Sequence, residues 1–224
     1  MIHKSYKFRL YPTPKQEPYL KQAFGAKRFI FNHFLWVNNQ RFANKEKHLN
    51  AFGCNYVITD MKKQDEYSWL KDMDSIILQN STADLHQAYT NFFNSIKGKR
   101  KGKKVEKPKF KKKSNRQSFR TNCKLDQEQS LIKIPKLNSW IKITNHQEVL
   151  GTIKTVTISR CPSGKYFASI LTEQDIVPKG LTGKEVGIDL GIKDLLITSD
   201  GHKCPNLKIL TEKTNRILKQ QQKI

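Results

Sequence analysis

The sequence predicts an α+β chain: a small β-barrel with a bundle of helices inserted into it. Three observations carry that prediction. A strand with period-two alternation opens the chain. Two long stripes of helical period follow. The period then returns to two from Ser118 to Thr172.

In the opening SYKFRLYP, Tyr6, Phe8 and Leu10 fall on one face and Lys7 and Arg9 on the other. This is the pattern of a half-buried strand with a cationic outer side, and Pro12 ends it. Thr13-Pro14-Lys15-Gln16 reads as a helix start, with Thr13 as N-cap, Pro14 in the first helical position and Gln16 closing a capping box. Leu20, Phe24, Phe31, Phe34 and Leu35 then gather on one helical face, widened by Phe29 and Ile30. Leu78, Thr82, Leu85, Tyr89, Phe92 and Ile96 mark a second helix by spacings of four and three. Both stripes read as packing surface. The stretch between them, Asn44 to Trp69, reads as a polar connection with Gly53 and room for one short helix.

Residues 97–113 hold eleven basic residues and one acid, Glu106. Such a run repels itself and is expected to stay flexible until phosphate docks on it. SFRT, LIKIP, SWIKI, GTIKTVTISR and YFASIL then give five strand candidates, punctuated by Pro135, Gly151 and Pro162-Ser163-Gly164. Short strands at this spacing suggest a small barrel, which the first strand is expected to join. The final stretch, LTEKTNRILKQQQKI, reads as a helix without a stop signal, as in a fragment or a prematurely ended frame.

Composition narrows the function. The 224 residues carry 42 Lys and Arg against 19 Asp and Glu, a formal charge of +23. A hydrophobic content of 37% is too high for a disordered polycation. No apolar run approaches the ~20 residues of a membrane-spanning helix, and the N-terminus lacks the apolar region of a secretory signal. Cys54, Cys123, Cys161 and Cys204 form no C-x-x-C pair, which argues against a disulfide framework or structural zinc and favours the cytosol. The acids present cannot neutralise the excess charge, and nucleic acid is its natural counter-ion. A basic membrane-surface protein would concentrate its cations on one face of an amphipathic helix, which this chain does not do.

One residue carries possible chemistry. Val186 to Leu190 is a short apolar strand, and Leu195 to Thr198 is its hairpin partner beyond Gly191. Asp189 interrupts the apolar run. A carboxylate in such a strand needs compensation, and alternation places it on the same face as Gly187 and Gly191. Bare backbone on either side leaves room for a metal ion and a phosphate, as for the first carboxylate of a two-metal phosphodiesterase. A turn-capping Asp, or the phosphate-contacting D-x-G strand of a sugar-kinase or actin-like ATPase, is the alternative. Asp194 and Asp200, at turns, read as structural.

Four motifs in order resemble one family. YKFRLYPTPKQE with FGAKRFIFNHFL, WLKDMDSIILQNSTADLHQAYTNFFNSIK, KPKFKKKSNRQSFR and VGIDLGIKDLLITSDG are similar to the N-terminal part of the OrfB/TnpB proteins of insertion sequences. That family, long called transposases, comprises RNA-guided DNA endonucleases related to type V CRISPR nucleases. The resemblance implies a wedge-type barrel whose first strand lies in 1–12 and an inserted helical recognition lobe over 13–97. It places the basic loop and the rest of the barrel over 98–180, and the incomplete start of an RNase H-like (RuvC) domain over 181–224.

The resemblance further implies a guide RNA from the transposon end and a double-stranded DNA target read beside a short motif. Cleavage in the family uses Mg²⁺ held by three acids. Asp189 takes the place of the first, as catalytic and metal-binding residue. The second and third, and the family's zinc ribbon, correspond to no residues of this chain, so the chain alone is expected not to cleave. Gln79 and Phe52 match positions used beside the target-adjacent motif. Lys99, Arg100, Lys101, Lys103, Lys104, Lys109, Lys111, Lys112, Lys113, Arg116 and Arg120 are the expected backbone contacts. A binding remnant or repressor without catalysis is the alternative. A ribosomal-type RNA-binding protein would explain the charge but not Asp189 between two glycines.

Overall fold

The structure is a computed structural model that describes residues 1–113, 116–175, 183, 185–207 and 213–214. It divides into two compact units, Met1–Ile176 and Val177–Ile224. The helix expected near the C-terminus lies outside the described residues, apart from Lys213 and Thr214.

The first unit opens with β1 (Ile2–Tyr11), where Tyr6, Phe8 and Leu10 are buried as their alternation predicts. Three helical elements follow before any other strand: α1 (Glu17–Ala43), α2 (Ala51–Met61) and α3 (Ser75–Ile96), with a 3-10 segment at Asp65–Asp72 between the last two. Six strands complete the unit: β2 (Gln117–Thr121), β3 (Lys124–Asp126), β4 (Leu131–Lys133), β5 (Ile141–Ile143), β6 (Thr152–Arg160) and β7 (Tyr166–Gln174). The sheet runs β2-β6-β7-β1-β5-β4-β3 with every pairing antiparallel. β1 therefore sits at its centre, hydrogen-bonded to β7 and β5 from the far end of the unit, and the helices are an insertion after that central strand. β2 and β3 are edges, so the ladder stays open.

The start of α1 differs from the expected cap. Pro14 to Gln16 form a turn and the helix begins at Glu17. Half of the capping box survives, because Gln16 Oε1 accepts from the Thr13 amide at 2.9 Å. The Gln16 amide group also donates to Ser139 Oγ at 2.7 Å and to the Trp140 carbonyl at 2.9 Å. The side chain is spent tying the helix to the strand entry of β5, a partner 123 residues away that local sequence does not reveal.

Helices and sheet share one core. Leu20, Phe24, Ile30, Phe31, Phe34 and Leu35 of α1 are buried with Ile77, Leu78, Leu85 and Tyr89 of α3. Phe24 meets the ring of Phe119 on β2 at 5.1 Å between centroids. The second stripe fades toward its end, with Ile96 exposed. The stretch from Asn44 to Trp69 holds more helix than expected, because Cys54, Ile58 and Met61 bury one face of α2. Asn38 anchors that region through reciprocal bonds to the Leu49 amide and carbonyl, at 2.9 and 3.3 Å.

Buried polar groups fix the junction of α3 and β2. Asp74 caps α3 by accepting from the Ile76 amide at 3.2 Å and takes a second hydrogen bond from the hydroxyl of buried Thr121. Gly151, at φ +83°, leads into β6 where a Cβ would come within 2.4 Å of the Glu173 carbonyl, so only glycine fits. All four cysteines are free; burial pushes the Cys54 thiol up to about 11, and burial with nearby Asp74 pushes Cys123 up to about 12.

The second unit is a small antiparallel sheet of β8 (Ile188–Asp189), β9 (Asp194–Thr198) and β10 (Lys203–Pro205), in the order β10-β9-β8.

Candidate nucleic-acid interface

Part of the basic tract, from Val105 to Lys111, is held against α1 and α3. The Val105 amide donates to Ser95 Oγ at 2.9 Å, and Lys107 lies over the Phe42 ring. Asn32 grips the backbone of Lys111 from both sides, donating to its carbonyl at 3.0 Å and accepting from its amide at 2.8 Å. Aromatic faces and a side-chain amide on α1 thus supply the attraction that offsets repulsion within the tract.

Pinning sorts the expected contacts. Lys109 pairs with Glu106 inside the tract. Arg120 pairs with Asp84 of α3, which also holds Lys27 of α1 at 2.9 Å. The ammonium of Lys111 sits 3.7 Å from the centroid of the Phe31 ring. Burial of that tip, reinforced by Lys27 and opposed by Asp84, brings it down to about 8. Lys99, Arg100, Lys101, Lys103, Lys104, Lys112, Lys113 and Arg116 are exposed and have no ion-pair partner among the described residues. These eight are left over for an external anion, and Lys111, also exposed and without an ion-pair partner among the described residues, joins them from its place over the Phe31 ring.

Phe52 opens α2 and is 80% exposed; Gln79 is exposed on α3. Their helices are joined by the Thr82 hydroxyl, which donates to Asn55 Oδ1 at 2.7 Å. Sequence reasoning missed Tyr56, one turn beyond Phe52 and also exposed. The signal was available: both aromatics fall outside the Cys54, Ile58, Met61 stripe. It also missed Lys27, Arg28 and Trp36 on α1, whose charges and ring interrupt a phenylalanine-rich helix.

Asp189 does not interrupt a buried strand. It is exposed, between Ile188 at 58% and Leu190 at 73% exposure, on a two-residue strand whose partner among the described residues is β9. The flanking glycines have local duties. The Gly187 amide donates to Ser199 Oγ at 3.0 Å, and its carbonyl accepts from the Ser199 amide at 2.8 Å. A Cβ on Gly191 would come within 2.9 Å of the Asp194 carbonyl, so this glycine is required by the tight turn. Asp200 accepts a hydrogen bond from Thr198, which holds its carboxyl below the usual carboxylate range, in keeping with a turn role. Among the described residues no three His, Cys, Asp or Glu side chains come together to grip a cation. No helix among them is long and apolar enough to cross a membrane.

An antiparallel sheet with helices inserted after its central strand, and a surplus of unpaired surface cations, defines the class: a basic helix-and-sheet scaffold. Comparison with known proteins gives the lineage. The helix-turn-helix domain family HTH_OrfB_IS605 matches residues 1–47, which here form β1 and α1. The chain is 36% identical over 200 residues to InsQ of Escherichia coli (strain K12), named as a candidate RNA-guided DNA endonuclease, covering 88% of this chain and 47% of that protein. It is 28% identical over 225 residues to a Streptomyces pristinaespiralis protein named in the same way, covering 100% of this chain and 54% of that one. A solved Cas12f1–sgRNA–target DNA complex aligns over 99% of this chain and 61% of that one, with 15% identity and a TM-score of 0.42, too low to bear on the fold. The chain belongs to the OrfB/TnpB family of insertion-sequence proteins, and it spans about half the length of these two relatives.

Proposed function

We propose that this chain is the nucleic-acid-holding part of an OrfB/TnpB-type RNA-guided DNA endonuclease. The seven-stranded sheet takes the place of the family's wedge-type barrel, whose first strand lies in 1–12. Residues 13–97 are the recognition lobe, 98–180 the basic loop and remaining barrel strands, and 181–224 the first strands of an RNase H-like (RuvC) domain. The carrying observation is colinear similarity to the two named relatives across 88% and 100% of the chain. The eight unpaired cations support it, because exposed Lys and Arg with no internal partner release condensed counter-ions when they meet phosphates.

In this reading the partners are a guide RNA from the transposon end and a double-stranded DNA target. Phe52 and Gln79 face the motif beside the target, and sequence is read by base pairing with the guide. Asp189 is one of the three acids that hold Mg²⁺ in the complete family enzyme, where the metal supplies Lewis-acid polarisation of the scissile phosphate. A lone exposed carboxylate does not retain Mg²⁺ stably, so the chain by itself binds and does not cut.

The test is to purify the chain without nuclease treatment, sequence the RNA that comes with it, and add Mg²⁺ and labelled target DNA. Enrichment of transposon-end RNA with intact DNA is the expected result. RNA no different from the cellular background would sink the guide assignment. Mg²⁺-dependent cutting that disappears in Asp189→Ala would overturn the division between binding and cleavage.

A further inference from the structure

One face of α1 combines the two things an unpaired nucleotide needs. Lys27, Arg28, Lys111, Lys112 and Arg116 surround a cavity of about 320 Å³ between α1 and the approach to β2. A second hollow, of about 410 Å³, runs along the same helix past Gly25, Phe29, His33 and Trp36. Arg28 lines both, so the two are neighbours on the same helix. Both volumes fall in the ~300–1,000 Å³ range of ligand sites.

The cationic half is short of negative charge. Only Lys27 has an ion-pair partner among the described residues, Asp84, which it shares with Arg120. The Asn32 grip on the Lys111 backbone and the Phe31 ring beneath its ammonium fix that exposed cation on the same side of α1 as Lys27. Convergent like charges fixed by other interactions are relieved by an anion in the cavity.

The aromatic half is built from α1 positions 25, 28, 29, 32, 33 and 36, a single helical face. Phe29 is steadied from behind by Trp69 at 5.5 Å and Tyr67 at 5.8 Å between centroids, and His33 by Tyr67 at 6.3 Å. Burial lowers His33 from its ordinary value, so it presents a neutral ring near pH 7. Trp36 is 54% exposed. At Gly25 a Cβ would meet nothing within 4 Å, so the hollow is open there.

We propose that this face of α1 seats one nucleotide of a single-stranded nucleic acid, its phosphodiester in the cationic cavity and its base against Trp36 and His33. The inference rests on the nucleic-acid reading above and adds a defined site to it. Duplex bases are stacked on both faces and cannot reach an aromatic surface, whereas any unpaired base can stack there regardless of sequence. RNA and DNA strands share this chemistry, and the assay separates them.

The experiment measures fluorescence anisotropy of labelled 12-mers of single-stranded RNA, single-stranded DNA and duplex DNA with the whole chain, from 50 to 200 mM salt. Trp36→Ala is expected to weaken single-strand binding about tenfold, with duplex binding and salt slope unchanged. Arg28→Gln is expected to flatten the single-strand slope by about 0.7. Gly25→Glu, placed where the fold has room, is expected to weaken single-strand binding as well. Unchanged single-strand affinity in a folded Trp36→Ala variant, or equal losses for single strand and duplex, overturns the seat. Absence of salt-dependent binding by the unaltered chain overturns the nucleic-acid reading itself, so the two failures are distinguishable.

Discussion

Replacing Lys99, Arg100, Lys101, Lys103 and Lys104 by alanine removes five exposed cations that have no ion-pair partner among the described residues. Each phosphate contact on a single strand contributes about 0.7 to the slope of log affinity against log salt. Five contacts therefore amount to a slope change of about 3.5. Salt rising fourfold, from about 50 to 200 mM, then costs the unaltered chain on the order of 100-fold more affinity than the variant. The variant should keep its thermal midpoint, because these side chains are exposed. A filter-binding titration with single-stranded RNA over that range reads the slope directly. A slope within 0.5 of the unaltered chain would refute the reasoning, since it would mean that the cations left unpaired are not those that meet phosphate.

Two other outcomes follow from buried and crowded groups. Asp74→Ala removes the cap of α3, worth about 1 kcal/mol, and strands the buried Thr121 hydroxyl at a cost of about 1–3 kcal/mol. Thermal denaturation should show a midpoint lower by roughly 5–15 °C, and a drop under 2 °C would remove Asp74 as the keystone of that junction. Lys111, lowered to about 8 from 10.5, is faced by Lys27 and Arg28 of α1, Asp84 of α3, and Lys112 and Arg116 of its own segment. Its depressed value means the fold favours the neutral amine. The contribution of this group to stability therefore rises as pH climbs from about 8 toward 10.5, whereas phosphate binding needs the cation and weakens over the same rise. Single-strand affinity should fall between pH 7 and 9 in the unaltered chain and stay flatter in Lys111→Arg; identical profiles would exclude Lys111 from the contact.

Much of the fold was legible because period and burial coincide. Tyr6, Phe8 and Leu10, then Phe24, Phe31 and Phe34 of α1, and the Leu78 to Tyr89 stripe all lie in the core that their spacing predicts. The insertion of the helices was legible too, since a strand isolated at the chain start needs partners from later strands. β3 escaped, with too few residues for a period to stand out, and α2, expected only as one short helix between Asn44 and Trp69, has its helical face set by burying Cys54, Ile58 and Met61 against neighbours. Asp189 was found as an exception in an apolar run, but its exposure was not, because an apolar strand reads the same whether or not anything covers it.

The sequence by itself determined the charge surplus, the order of strands and helices, and the family to which they belong, all properties of composition, spacing and motif order. Tertiary structure alone decided which cations remain available. Asp84 takes up Arg120 and Lys27, and Phe31 with Asn32 fixes Lys111 against α1, leaving the others to solvent. The reason is distance: charges and rings interact through space over a few ångströms, and Asp84 and Arg120, 36 positions apart, or Asn32 and Lys111, 79 apart, become neighbours only when α1, α3 and the chain leading into β2 pack together.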